Sequence, residues 1–376
     1  MSEISDMIQR LCPDGVEYRK IRDTVGVNRG SRLTKSQLVD DGKYEVYHGS
    51  KDTPLGRYNH YNAPMYSTIV VNTGGIGGVK FLNDDFWCSD GSFWLGQVPY
   101  IEPKYLYYCL SGYEDYFYSK KRVGGVPTID RAVIEDFEIP VPPLEVQRKI
   151  VEVLDNFSEL AAELAAELEA RKKQYEYYRD NLLNFNRGGQ VVSNVKWMKL
   201  GEICNVFTGG EVPMNTAKGQ LEPSMQYPYP VYTNGKDVYG YTDSYQIDCD
   251  AVCVSSIGAN TGDVFYRNAF FTPAIRLKVI VPKIDYLNTK FLFYITSVID
   301  FSGKNKGSVP NINAEFVKRI LIPIPPLSEQ ERIVSILDRF EAMTTDLTAG
   351  LPAEIKARQQ QYEYYRDQLL TFKRAN

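Results

Sequence analysis

Two histidines, His48 and His60, are all the imidazole in a chain of 376 residues. Histidine acid–base catalysis, or a serine–histidine–aspartate relay, has almost no material to draw on. The six cysteines (Cys12, Cys88, Cys109, Cys204, Cys249, Cys253) include no CxxC pair, and with so few histidines to join them no metal site is expected. No eighteen apolar residues run together, and the opening MSEISDMIQR is charged from its third residue. That excludes a membrane-spanning helix and a secretion signal, so a cytoplasmic protein with no membrane partner is expected. NTGGIGG (Asn72 to Gly78) lacks the GxGxxG or GxxxxGK[ST] spacing of a phosphate loop and reads as a turn between strands. In PDGVEYR (Pro13 to Arg19) the acids stand too close together for a nuclease metal site, so this too reads as a turn. The Asn/Asp-Pro-Pro-aromatic motif of adenine methyltransferases does not occur; the Pro-Pro pairs follow Val141 and Ile324. No catalytic residue is assigned.

What is present suits a folded protein of two domains plus connecting elements: 43% hydrophobic and 24% charged residues over this length. The net charge is −4. Residues 1 to 138 hold 16 Lys+Arg against 19 Asp+Glu, and residues 191 to 320 hold 13 against 11. Neither half carries the basic field usual for a nucleic-acid binder, so any such contact must come from local clusters or be shared with a partner.

The strongest signal is an internal repeat. IPVPPLEVQRKIVEVLDNF, from Ile139, returns as IPIPPLSEQERIVSILDRF, from Ile322, displaced by 183 residues. ARKKQYEYYRDNLLNF, from Ala170, returns as ARQQQYEYYRDQLLTF, from Ala357, displaced by 187. GGVPTID (Gly124) matches GSVPNIN (Gly307), and VEYRKIRDT (Val16) weakly matches VKWMKLGEI (Val195). The chain is thus a duplication with two variable domains, 1–138 and 191–321, alternating with two nearly identical helical regions, 139–190 and 322–376.

In the first helical region Ile150, Leu154, Phe157, Ala161, Leu164, Leu168, Arg171, Tyr175, Tyr178, Leu182 and Phe185 step by four and three alternately, a heptad seam with one polar interruption. Pro142 and Pro143 suit a helix start, and Gly188 and Gly189 its end. Some 40 residues make a rod about 60 Å long, which needs a partner. The second seam runs Ile333, Leu337, Phe340, Thr344, Leu347, Leu351, Ile355, Arg358, Tyr362, Tyr365, Leu369 and Phe372. Its four extra residues fall between Leu351 and Ile355, a stutter, and Gly350 with Pro352 predicts a kink there. Among these positions Ile150, Leu154, Phe157, Leu164, Tyr175, Tyr178, Leu182, Ile333, Leu337, Phe340, Tyr362, Tyr365 and Leu369 are the candidates for helix pairing, and they become candidates for partner docking under the resemblance given below. Two antiparallel rods facing each other would give a circular, pseudo-two-fold outline with the variable domains at opposite poles.

Both variable domains mix β-branched and aromatic runs (STIVV from Ser67, DAVCVSS from Asp250, IRLKVIV from Ile275) with one helix-like stretch each (KYLYYCL from Lys104, KFLFYIT from Lys290), which predicts an α/β or α+β domain. Glycine-rich loops carry the candidate DNA contacts: Arg29, Arg32 and Lys35 in NRGSRLTK; Lys51 in YHGSK; Lys120, Lys121 and Arg122 in KKRVGG; Lys236 in TNGK; Asn260 and Thr261 in SIGANTG; Lys304, Asn305 and Lys306 in GKNKGS. Cations suit phosphates and guanine edges, and asparagine suits adenine. Taken singly, each is also an ordinary solvated turn residue.

Two diverged domains on a duplicated helical scaffold, IPVPPLEVQ and IPIPPLSEQ, QYEYYRD twice, GLPAEI from Gly350 and LCPDGVEY from Leu11 together resemble the specificity subunit of type I restriction–modification systems, over essentially the whole chain. The resemblance implies a non-catalytic subunit whose domains each read one half of a split double-stranded DNA sequence. It implies helices that set the gap and dock two methyltransferase subunits, to which two restriction–translocation subunits can add. S-adenosylmethionine, Mg2+ and ATP would belong to those partners, within an adenine-specific methyltransferase or an ATP-dependent restriction endonuclease. The rival reading is a scaffold that dimerises partners without binding DNA; a nuclease acting alone is a third.

Overall fold

The computed structural model describes residues 2–122, 124–185, 194–301, 311–345 and 350–375. They form two compact units, Met1–Ala166 with Ala353–Asn376, and Glu167–Pro352.

In chain order the elements are α1 (Ser2–Leu11), β1 (Tyr18–Lys20), β2 (Val27–Arg29), β3 (Tyr44–Tyr47), β4 (Gly56–Tyr58), β5 (Ser67–Val71), β6 (Val79–Leu82), β7 (Trp87–Cys88), β8 (Ser92–Leu95), α2 (Pro103–Ser111), α3 (Glu114–Ser119), α4 (Arg131–Glu135), β9 (Glu138–Pro140) and the 39-residue α5 (Leu144–Leu182). Then come β10 (Lys196–Lys199), α6 (Leu200–Ile203), β11 (Cys204–Thr208), β12 (Ala217–Lys218), β13 (Tyr229–Tyr232), β14 (Gly240–Thr242), β15 (Ala251–Val254), β16 (Val264–Arg267), β17 (Thr272–Pro273), β18 (Lys278–Pro282), α7 (Thr289–Ser297), α8 (Ala314–Arg319), β19 (Leu321–Ile324), α9 (Leu327–Thr345) and α10 (Leu351–Leu369).

The first unit holds an antiparallel sheet in the order β2-β8-β5-β6, a second sheet β4-β3-β7, and the pair β1-β9. The second unit repeats this as β11-β18-β15-β16, β14-β13-β17 and β10-β19, with β12 added beyond β14. Among the strands named above, parallel pairing joins β3 to β7 and β13 to β17 and the other pairings are antiparallel, so the domains are α+β. All five residues of STIVV are buried in β5, and all four of β15; β-branched side chains filling a central strand covered on both faces explain the continuous apolar runs. IRLKVIV departs from its strand reading: Ile275 and Arg276 have φ of 51° and 60°, and β18 starts only at Lys278. The buried flanks Ala274 and Leu277 bracket an exposed turn rather than an extended segment.

KYLYYCL and KFLFYIT become α2 and α7, each packed on its sheet. Pro103 opens α2, and Asn288 caps α7 by accepting from Phe291 N at 3.0 Å. In the second helical region Pro352 occupies the first turn of α10, where its missing N–H costs nothing. Leu347 and part of the predicted kink lie outside the described residues, as do Gly188 and Gly189. None of the described helices is long and apolar enough to cross a membrane.

Candidate nucleic-acid interface

In the first unit β3 and β7 run parallel, so the loops leaving them emerge side by side, and hydrogen bonds knit these to the loops after β2 and β5. Gly91 N donates to His48 Nδ1 (3.2 Å), which also lies 3.2 Å from Ser89 Oγ; Asn72 N donates to Gly91 O (2.8 Å) and Gly75 N to Gly49 O (2.8 Å). Gly30 is required by close approach: a Cβ there would come within 2.0 Å of Ser89 O. NTGGIGG is the β5–β6 turn, with Gly74 and Gly77 at φ 83° and 84°. Arg29 at the end of β2, and Arg32 and Lys35 in the segment that follows it, stand exposed and make no ion pair among the described residues.

The other candidates of this domain are committed to partners. Both oxygens of Glu114 accept from Lys51 Nζ (2.6 and 2.7 Å), and Glu114 also accepts from Val79 N. That ammonium ties the β3–β4 loop to α3, whose Glu114 also holds the first residue of β6. Arg122 pairs with Asp130. Lys120 and Lys121 lie over the Tyr116 and Tyr118 rings, at 5.2 and 3.6 Å, leaving an exposed basic-aromatic edge.

The second unit builds the same cluster from different residues. Asn234 Oδ1 accepts from Ser256 N (2.8 Å), its Nδ2 donates to Ile275 O, and its carbonyl accepts from Asn260 Nδ2 (3.2 Å). Thr261 closes its own turn on Gly258 O (2.6 Å), so Asn260 and Thr261 shape the loop they belong to. Lys236 is exposed, and its carbonyl, with that of Gly235, accepts from Arg267, whose guanidinium is 3.8 Å from the Tyr232 ring centre. Burial lowers the Arg267 pKa. Lys304, Asn305 and Lys306 lie outside the described residues. Sequence reading missed Arg267 and Arg276, the first hidden in β16 and the second in an apolar run.

Each domain is clamped to its helix by one repeated device that sequence reading also missed. Gln147 and Gln330 are fully buried. Gln147 donates to Pro142 O (2.7 Å) and Tyr100 O (3.0 Å) and accepts from Glu102 N (2.9 Å). Gln330 donates to Pro325 O and Tyr286 O (both 2.9 Å) and accepts from Asn288 N (2.9 Å). Two turns further along each helix, Tyr108 and Lys104 bind Asp155, while Tyr294 and Lys290 bind Asp338. Burial first, and then the carboxylate, raises both phenol pKa values, keeping them neutral donors. The only signal was that both copies carry the glutamine at one offset from Pro-Pro.

Of the seam residues, Ile150 and Leu154 share the first unit's core with α2 and Leu369, and Ile333 and Leu337 share the second unit's with α7. Leu164 is half-buried. Phe157 stacks on Tyr365 at 5.2 Å and 25° in the first unit, and Phe340 stacks on Tyr178 at 5.4 Å and 28° in the second. These are the same two repeat positions. Tyr175 also touches Phe340, Tyr362 touches Tyr108, and Leu182 packs on the second core.

Two α+β domains of one topology, each anchored to a long helix and carrying its variation in a loop cluster, define a tandem recognition subunit. The family model for the type I restriction modification DNA specificity domain matches residues 13–170 and 193–357, and the chain belongs to that family, the type I specificity subunits. S.MpnORF507P of Mycoplasma pneumoniae, assigned as a type I specificity subunit, is 32% identical over 362 residues, covering 93% of this chain and 96% of that one. The Escherichia coli EcoR124I/EcoR124II specificity subunit is 33% identical over 302 residues, 72% of this chain and 70% of that one. The S subunit crystal structure from M. genitalium shares the fold with a TM-score of 0.67 at 19% identity, over 95% of this chain and 96% of that one.

Proposed function

We propose that each domain reads one half of a bipartite double-stranded DNA target, and that the helices pair as an antiparallel coiled coil that fixes the unread gap and docks two methyltransferase subunits. Two restriction–translocation subunits add to that complex where the cell makes them, and S-adenosylmethionine, Mg2+ and ATP act on those partners. The observation that carries the reading is one strand order, built twice, with different chemistry at the loops: His48, Asn72 and exposed Arg29 and Arg32 in one domain; Asn234, Asn260 and Arg276 in the other. A shared frame with unlike loops is what reading two different half-sites requires. The paired stacks Phe157–Tyr365 and Phe340–Tyr178 support the helix pairing.

The net charge of −4 fits a subunit that shares phosphate contacts with partners closing around the duplex. A gel shift of the chain with and without its modification subunit, across a salt series, tests this. Expected is sequence-specific retardation that the modification subunit strengthens and salt weakens; a complex that forms but never retards DNA leaves the scaffold reading.

A further inference from the structure

Ile275 and Arg276 are consecutive left-handed residues (φ 51° and 60°) and both are exposed. A β-branched side chain rarely adopts that conformation, yet here it is held at every polar backbone atom. Ile275 N donates to Gly210 O (2.8 Å) and Arg276 N to Gly209 O (3.1 Å). Ile275 O accepts from Asn234 Nδ2, and Arg276 O accepts from Ser256 Oγ (2.6 Å) and from Lys278 Nζ (3.0 Å). Lys278 is 4% exposed and makes no ion pair among the described residues. Strain that surrounding bonds enforce this fully marks a position held for something other than stability.

What it holds outward is a guanidinium with no ion pair among the described residues. Most arginines of this chain are spent on carboxylates, as in Arg10–Glu145, Arg332–Glu329 and Arg374–Glu138. Arg276 lines a recess of ≈ 500 Å³ with Gly209, Gly210, Val212, Ile257 and Glu211. A carboxylate in the same recess repels a phosphate but tolerates a base edge, and the apolar side chains beside it suit a base rather than the solvated backbone.

We propose that Arg276 reads a guanine in the half-site assigned to the second domain, its fork fixed by the strained turn. This rests on the half-site reading above and names one contact within it. Arg276→Gly tests it, because glycine removes the guanidinium and relieves the left-handed backbone together. The full chain is made with its modification subunit, and the wild-type target is mapped by methylation sequencing. Binding is then measured on duplexes carrying each single-base change in that target.

Expected are a thermal midpoint at or above wild type and loss of about tenfold or more of discrimination at one guanine of the second half-site, with the first half-site unchanged. Arg276→Lys keeps the charge without the fork and should lose discrimination at that same guanine. Full discrimination retained by Arg276→Gly, or a second half-site without guanine, overturns the proposal. So does uniform weakening on all sequences with a shallower salt dependence, the mark of a phosphate contact. A wild-type complex that binds no DNA sinks the half-site reading itself, before any variant is made.

Discussion

A buried amide left unpaired is costly, and Gln147 and Gln330 each use both N–H groups and the carbonyl oxygen, three bonds apiece to backbone atoms. Gln330→Leu would fill the space but strand Asn288 N and two carbonyls, at a cost on the order of 2–4 kcal/mol; urea unfolding should show it as a lowered midpoint, and an unchanged midpoint would refute the clamp. Lys278 behaves oppositely. Burial, and then the neighbouring Arg276 guanidinium, lowers its pKa from the ordinary 10.5, so its charge is a liability to the fold. Lys278→Met should be more stable at neutral pH, since Ser256 Oγ still satisfies Arg276 O. Between the lowered pKa and 10.5 the unfolded wild type binds more protons than the folded, so wild-type stability rises with pH there. The advantage of Lys278→Met should shrink as pH approaches 10.5 in paired thermal melts; a constant difference would contradict it. At this scale the sequence was legible only in part. Arg29 and Arg32 stood out because glycine and polar neighbours announce a loop, whereas Arg276, between Ile275 and Leu277, was disguised as strand. Lys51 looked like its exposed counterpart Lys236 because nothing local reveals Glu114, 63 residues away.

Periodicity made the helices the most legible elements. Pro142-Pro143 and the seam from Ile150 predicted α5, and the seam positions between Ala161 and Tyr175 are among its half-buried residues. The strands were harder, because most are two to five residues long and their order depends on pairings far apart in sequence, such as β5 with β8 and β2 with β8. Seam residues nearest the helix start do not serve helix pairing alone: Ile150 and Leu154 also face α2 in the first core. From Phe157 onward the seam also rests on ring stacks, Phe157 on Tyr365 and Tyr178 on Phe340, and at its far end Tyr175, Leu182 and Phe185 pack on the second core. An insertion tests the division. Four residues added near Ala161 lengthen the rod by roughly 6 Å without touching a loop cluster. Methylome sequencing should return both half-sites unaltered and a spacer longer by about one to two base pairs; altered half-sites would contradict a helix that only measures.

For the whole molecule, the duplicated topology means that a recognition domain is a replaceable part. Its borders coincide with structural seams: β1 pairs with β9 at one end of the first domain, and β10 pairs with β19 in the second. Each domain thus closes on itself where it joins the helices. The glutamine clamps use backbone atoms of the domain, Tyr100 O and Glu102 N in the first, which any domain of this topology can supply. Exchanging residues 16 to 138 for the corresponding domain of a relative should therefore keep the clamp, the core around Leu154 and the docking of partner subunits. The prediction is a methylated sequence in which one half-site is new, the other is retained, and the spacer is the same. A change in both halves would mean that the two loop clusters read DNA jointly, and the modular reading would fail. If the exchanged chain assembles with its modification subunit yet methylates nothing, the clamp passes on more than position, and the loss should be recovered by restoring Tyr108, Lys104 and their shared Asp155 contact.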